Sequence, residues 1–306
     1  MFANPPIFTG FQNMTKRLPR YILQRLIPLI VLFFLMDLQA SGQSKPPDWG
    51  FVQFLIDQEN YGQVLEALDQ SSTPTVSSSD SASFFRGWAL YHLKELSPST
   101  EAFRNVSASS VLHTRSGLFG SWNLAYLKDL KTADLWLNSL HAPTQDEMAL
   151  IKFETLGIRL LERDLPGYDK LRTDVPSTRY AWGKALEKLD SYAGQMHTYK
   201  PKSPALSGVL SAVVPGLGKI YTGQTGSGVS AFLICGALGA LSVENGMHDG
   251  WGHWSTLVFS GLFTLFYAGN IYGSIISAKE VSDYHHEDMD QHILLDMHLP
   301  LREFYR

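Results

Sequence analysis

The chain has 306 residues, 44% of them hydrophobic, and a formal net charge of −4. That length suits one or two domains, and the slight acidic balance lacks the basic excess that points to nucleic acid. The single cysteine, Cys235, excludes an intrachain disulfide and leaves the redox compartment open.

Residues 1–42 read as a signal peptide. Lys16, Arg17, Arg20 and Arg25 form a basic region, Leu26–Leu35 an apolar stretch, and Leu38–Gln43 supplies small residues suited to cleavage. The apolar stretch is shorter than the about 20 residues of a spanning helix. Cleavage is the favoured reading, with an uncleaved anchor as the alternative, and Met14 is a second candidate start. The chain from about Gln43 onward is then expected outside the cytoplasm.

After a Lys45-Pro46-Pro47 spacer, residues 48–172 read as consecutive helices with short polar breaks. Gly87–Phe103 aligns with Ser121–Leu137 at an offset of 34 residues. Gly87 then pairs with Ser121, Leu90 with Leu124, Leu96 with Leu130, Ser99 with Ala133, and Phe103 with Leu137. Asn60–Leu68 fits the second helix of an earlier unit, and Leu156–Leu171 a later unit with a slip of about one residue. These segments resemble the tetratricopeptide repeat (TPR). In that family small residues, here Gly87, Ser121, Ser99 and Ala133, let paired helices approach, and large ones, here Phe103 and Leu137, fill the groove between them. Arg86 and Gly120 stand where the family prefers Leu, and no Pro closes either unit.

The polar stretch Ser71–Ser83 is expected to be a flexible loop between units, since it carries too few apolar residues to pack. Asp174–Thr178 breaks the array. Residues 173–202 then hold a capping helix, Arg179–Met196, and a hinge at Tyr199–Lys202.

Residues 203–278 form the membrane block. Gly226–Val243 carries no charge, and Trp251–Ala278 is a longer uncharged run. Both reach the length of a transmembrane helix, and both contain many small residues of the kind that let helices pack in lipid. Glu244–Gly250 is a polar turn, so the two form an antiparallel hairpin. Trp251, Trp254, Tyr267 and Tyr272 are candidate interfacial anchors. The alternative is a buried helical hairpin of a soluble protein. Upstream, Pro204–Val214 is too short to span, Pro215 stops it, and Gly216 and Gly218 permit a bend. The run PGLGKIYTGQTGSG and the two apolar segments after it resemble the TM2 family and related membrane modules with a PGxGxxYxG pattern. That resemblance implies a short broken helix followed by two spanning helices, and it implies little about mechanism. Residues 279–306 are expected to be a polar tail.

Topology stays open on sequence alone. Two spans return the tail to the side of the repeats, and three put it on the opposite side. Lys200, Lys202, Lys219 and Lys279 flank the block, while the Glu244–Gly250 turn has no Lys or Arg. With two spans these charges sit on the side that the signal peptide makes external, against the positive-inside tendency.

No nucleophile elbow, phosphate loop, zinc-protease or kinase motif is present, and Gly218-Lys219 is followed by Ile220 rather than Ser or Thr. The histidines at 248, 253, 285, 286, 292 and 298 match no closed metal site. No catalytic, cofactor or metal residue is therefore assigned. The binding candidates are aromatic: Trp88 and Trp122 occupy equivalent places in neighbouring units, with Tyr91, His92 and Tyr126 nearby. They form either a concave row that holds a protein partner or plain packing faces of their helices.

The expected protein is all-α: a short TPR-like helical-repeat solenoid followed by a transmembrane helical hairpin. Its expected role is a non-enzymatic, multi-pass scaffold of the bacterial cell membrane and envelope, in contact with lipid, with extracytoplasmic repeats binding a protein partner. The alternative is a membrane-active module that assists insertion or transport of proteins or lipids under control of the repeats.

Overall fold

The computed structural model describes residues 46–71, 75–175 and 180–305, without side chains for 180–182. The signal-like segment lies outside the described residues. Every described element is a helix, and the chain divides into two compact units at Pro74–Thr75.

The first unit holds α1 (Trp49–Asp57) and α2 (Tyr61–Asp69). Asp48 caps α1 by accepting from the Phe51 amide at 3.1 Å, and Val52, Leu55, Val64 and Leu68 are its buried residues.

The second unit begins with three helix pairs: α3 (Val76–His92) with α4 (Leu96–Arg104), α5 (His113–Tyr126) with α6 (Leu130–Ser139), and α7 (Gln145–Leu161) with α8 (Leu165–Arg172). One turn geometry joins each pair. Lys94, Lys128 and Arg163 have φ of 67°, 65° and 62°, and Glu59 between α1 and α2 has 55°. At each turn the amide after the left-handed residue reaches five residues back: Glu95 to Leu90, Asp129 to Leu124, Asp164 to Arg159, and Asn60 to Leu55. This closes the carbonyls that a helix end leaves open. Within the first pair, the Ser99 hydroxyl donates to the Gly87 carbonyl at 2.8 Å, and Phe103 lies where a Cβ on residue 87 would stand. Asn123 of α5 donates to the Ser99 hydroxyl at 3.0 Å and ties the next pair to it. At Gly120 the ring of Trp136 fills the space that a larger side chain would take.

One expectation fails here. Residues 76–83 are the first turns of α3, not a flexible loop. The Thr75 hydroxyl caps the helix by accepting from the Ser78 amide at 3.1 Å, and the buried Asp80 carboxylate accepts from the amide of Ser107 at 2.9 Å and from its hydroxyl. A cap and a buried polar lock outweigh the weak helix propensity of the serines. Residues 72–74 are outside the described part.

Next comes α9 (Tyr180–Thr198), clipped to α8 by Asp190, which accepts from the Tyr168 hydroxyl at 2.7 Å and from Arg172 Nε at 2.8 Å. The chain then forms α10 (Pro204–Val213), α11 (Leu217–Tyr221), α12 (Thr225–His248) and α13 (Trp254–Phe304). Helix α10 ends after ten residues, and its Ala212 carbonyl accepts from the Tyr267 hydroxyl of α13. That bond ties α13 to the end of α10. The reversal into α11 uses Gly216 at φ 86°, a backbone region that glycine enters without steric cost, and Gly216 and Gly228 meet backbone to backbone. Ser207 donates to the carbonyls of Gly218 and Ser274 at 3.0 and 2.8 Å, fixing α10 and α11 to α13.

Among the described residues two helices, α12 and α13, are long and apolar enough to cross a membrane. Only 17% and 11% of their most apolar stretches are buried in the protein, which leaves Phe232, Leu233, Leu257, Leu265 and Phe266 on open faces. A soluble protein rarely exposes apolar surface of that extent. Helix α13 has 51 residues and passes Ala278–Lys279 without a break. The polar tail expected there is the second half of this helix, and it packs on α5, α7 and α9.

Candidate functional site

The docked half of α13 presents one apolar stripe at a spacing of four residues: Met289, Ile293, Met297 and Leu301, each at most 5% exposed. That spacing lines up side chains on one helical face. The stripe joins the same core as Leu118, Phe119, Leu150, Phe153 and Leu189 of the helix pairs and α9. Gly157 of α7 provides the closest approach, because Met297 occupies the place of its missing Cβ. Charged pairs flank the stripe. Arg163 meets Asp290 at 2.8 Å, and the buried Asp296 takes Lys188 Nζ and the Tyr192 hydroxyl, both at 2.6 Å.

All five aromatic and histidine candidates lie on α3 and α5, toward this seat, and the structure assigns them different tasks. Trp122 is buried, donates Nε1–H to the Leu294 carbonyl at 3.1 Å, and stacks on the His298 ring with centroids 4.1 Å apart. Tyr91 is buried and its hydroxyl bonds His298 Nε2. Trp88 stacks on Tyr91 at 5.7 Å and stands edge-on to Phe119 at 5.0 Å. His92 packs edge-on to Trp88 at 4.8 Å. Tyr126 is the outermost, 55% exposed, with its ring 5.5 Å from Trp122. Tyr91 and Trp122 pack against α13 of the same chain, as the packing-face alternative expects.

Sequence reasoning missed the other half of the site. Arg115 lies among three rings, 4.8 Å from Trp88, 5.0 Å from Phe84 and 5.1 Å from Tyr305, and donates to the Tyr305 carbonyl at 2.9 Å. Such a guanidinium gains from ring faces and from a carbonyl that a helix end leaves free. The tail histidines do related work: His285 stacks on Tyr199 at 4.1 Å, so residue 199 of the expected hinge is fastened, and His298 stacks on Trp122. Among the described residues no group of three His, Cys, Asp or Glu side chains is placed to hold a metal ion.

Burial sets the protonation of the two histidines at the seat. Burial, and then the charges of Arg302 and Lys94, push His92 and His298 down to about 4, and His92 adds to the depression of His298. Both are uncharged at neutral pH, His298 stacked on the Trp122 indole and His92 edge-on to that of Trp88. Glu154, buried in α7, has its carboxyl pushed well above the usual carboxylate range by burial, and its Oε1 has no hydrogen-bond partner.

A cleft of about 670 Å³ remains beside the seat, lined by Lys94, Lys128 and Tyr126 on one wall and Glu287, Leu295 and His298 on the other.

The chain matches no known family model, no curated protein and no solved structure. The reading of its role rests on its own residues.

Proposed function

We propose that this protein is a non-enzymatic, membrane-tethered scaffold of the bacterial cell envelope: a short TPR-like stack, held at the bilayer by a two-span hairpin, whose aromatic face binds an amphipathic helix of a protein partner. The observation that carries this reading is the seated helix. Tyr91, Trp122 and Arg115 hold α13 by ring stacking and by hydrogen bonds to His298, Leu294 and Tyr305, the chemistry of a helix-in-groove interaction. The partner's helix enters in exchange for the chain's own, beginning at the open cleft beside Tyr126. The docking of α13 on α5, α7 and α9 also supports two spans rather than three, since helix pairs and tail must then share one side of the membrane. The signal-like N-terminus makes that side the extracytoplasmic one.

The test is occupancy of the seat in trans. A chain ended after Ala278, reconstituted in nanodiscs, is expected to bind a synthetic peptide of residues 283–305, while the full chain binds it far more weakly. A peptide with Ile293 and Met297 replaced by Asp should not bind. A truncated chain that stays helical and binds neither peptide sinks the reading.

A second reading is favoured by one feature. Helix α13, about 77 Å long at about 1.5 Å per residue, joins the seat to the hairpin without a loop. Displacement of the tail would then move the hairpin itself, as a membrane module regulated by the repeats requires. Rescue of a null strain by residues 203–306 alone would favour this reading over the scaffold.

A further inference from the structure

Between α11, α12 and α13 lies a second cleft of about 670 Å³. Its polar end has Lys219, Gly226, Ser227 and Ser230, and its apolar end has Ile234, Leu265 and Phe266. Asn270 lines it as well, 6% exposed, with neither its side-chain nitrogen nor its oxygen bonded within the protein. A buried amide left without partners is rare and costly, and the more so among apolar helices. Lys219 is the only charged residue between Ser203 and Val243, no acid lines the cleft, and its Nζ lies against Gly273, one helical turn from Asn270. Helix α12 starts at Gln224 without a side-chain cap, so its first-turn amides are open at the positive end of a 24-residue helix.

We propose that this cleft binds one anionic glycerophospholipid from the leaflet nearer the helix pairs. Its phosphate sits between Lys219 and the start of α12, its glycerol ester meets the Asn270 amide, and an acyl chain lies along Leu265 and Phe266. The order of groups along the cleft matches the order along such a lipid. The Ser277 hydroxyl donates to Gln224 Oε1 at 3.1 Å, which puts Ser277 level with the start of α12. Asn270 is seven residues from Ser277 on the same helix, about 10 Å deeper at about 1.5 Å per residue. An inorganic phosphate at the polar end would leave Asn270 unanswered, and the ammonium of a zwitterionic headgroup would find no carboxylate.

The proposal rests on the hairpin's lying in a bilayer, so flotation of the full chain with vesicles is measured first. A chain that does not float removes the bilayer reading and this proposal together. A chain that floats is then purified in detergent and mixed with equal amounts of phosphatidylglycerol and phosphatidylcholine, and native mass spectrometry counts the lipid retained. One phosphatidylglycerol per chain is expected. Lys219→Ala and Asn270→Leu should each lower retention roughly tenfold or more, the effect of losing a hydrogen bond with a charged or buried partner, while Lys219→Arg and the outlying Lys279→Ala retain the lipid. Millimolar inorganic phosphate should not displace it. Equal retention of both lipids, or unchanged retention in Lys219→Ala with native helicity, overturns the proposal for the floating chain. Full displacement by phosphate overturns it too and assigns the cleft to the free anion.

Discussion

Replacing Ile293 by Ala should loosen the tail from its seat while leaving the hairpin intact. Ile293 is fully buried at the centre of the stripe that α13 lays on the helix pairs. The substitution removes about three buried carbons, about 0.8 kcal/mol each in transfer terms, or about 2.4 kcal/mol. The cavity left in a close-packed core raises the cost to about 3–4 kcal/mol. At about 1.4 kcal/mol per factor of ten, the docked-to-undocked ratio falls roughly a hundred- to several-hundred-fold. Hydrogen exchange of the full chain in nanodiscs reads this directly: amides of residues 288–304 should lose protection, and those of α12 should not. Leu295→Ala is the matched control, because Leu295 is 53% exposed on the wall of the open cleft and lies outside the buried stripe. Equal protection in the two variants would refute the account of the stripe.

Three further outcomes are expected. Arg115→Met keeps the length of the side chain but loses the ring contacts and the bond to the Tyr305 carbonyl, about 1–2 kcal/mol, so carboxypeptidase should trim residues 301–305 faster than in the parent chain. Burial in the docked state, with Arg302 and Lys94 adding to it, holds His92 and His298 at about 4, below their ordinary 6.5, so the docked state binds fewer protons than the undocked one; its stability is complete above pH 6.5 and declines as pH falls toward 4. Tail protection should therefore weaken between pH 7 and pH 5, and the double substitution His92→Gln with His298→Gln should flatten that slope; an unchanged slope would remove the histidines from the explanation. Glu154 acts in the opposite sense: its folded-state value is raised, so its cost grows as pH rises above the ordinary 4.5, and Glu154→Met should stabilise by about 1–3 kcal/mol, with a larger rise in melting temperature at pH 8 than at pH 5.

Much of the helix content was legible because the period was. The offset of Gly87–Phe103 onto Ser121–Leu137 reflects small residues where helices touch, and Ser99 does bond the Gly87 carbonyl across such a touch. A second signal was present and unread: Lys94-Glu95-Leu96, Lys128-Asp129-Leu130 and Arg163-Asp164-Leu165 mark the left-handed turns. The Ser-rich start of α3 was misread because its helix depends on Asp80 reaching Ser107, 27 residues away. The seat was half legible. Trp88, Tyr91, His92, Trp122 and Tyr126 share a face by spacing alone, whereas their neighbour is more than 150 residues further along the chain. The stripe from Met289 to Leu301 has a readable period of four, but Asp, Glu and His beside it give the segment a polar average. Where the stripe packs is set by residues far away in the chain, such as Gly157, whose missing Cβ leaves room for Met297, and composition does not reveal that. The Lys219–Asn270 cleft was hidden for a similar reason, since α11 is folded back by backbone contact at Gly216 and Gly228.

The central claim is that the chain seats its own C-terminal helix on its helix pairs, on one side of a membrane that the hairpin crosses twice. Single cysteines in a Cys235→Ala background test it most directly, placed at Val111 in the loop before α5, at Met247 near the hairpin turn, and at Glu303 near the end of α13. A membrane-impermeant maleimide added to intact cells should label Val111→Cys and Glu303→Cys, and should reach Met247→Cys only after the membrane is opened. Labelling of Val111→Cys and Glu303→Cys from opposite sides would contradict the account.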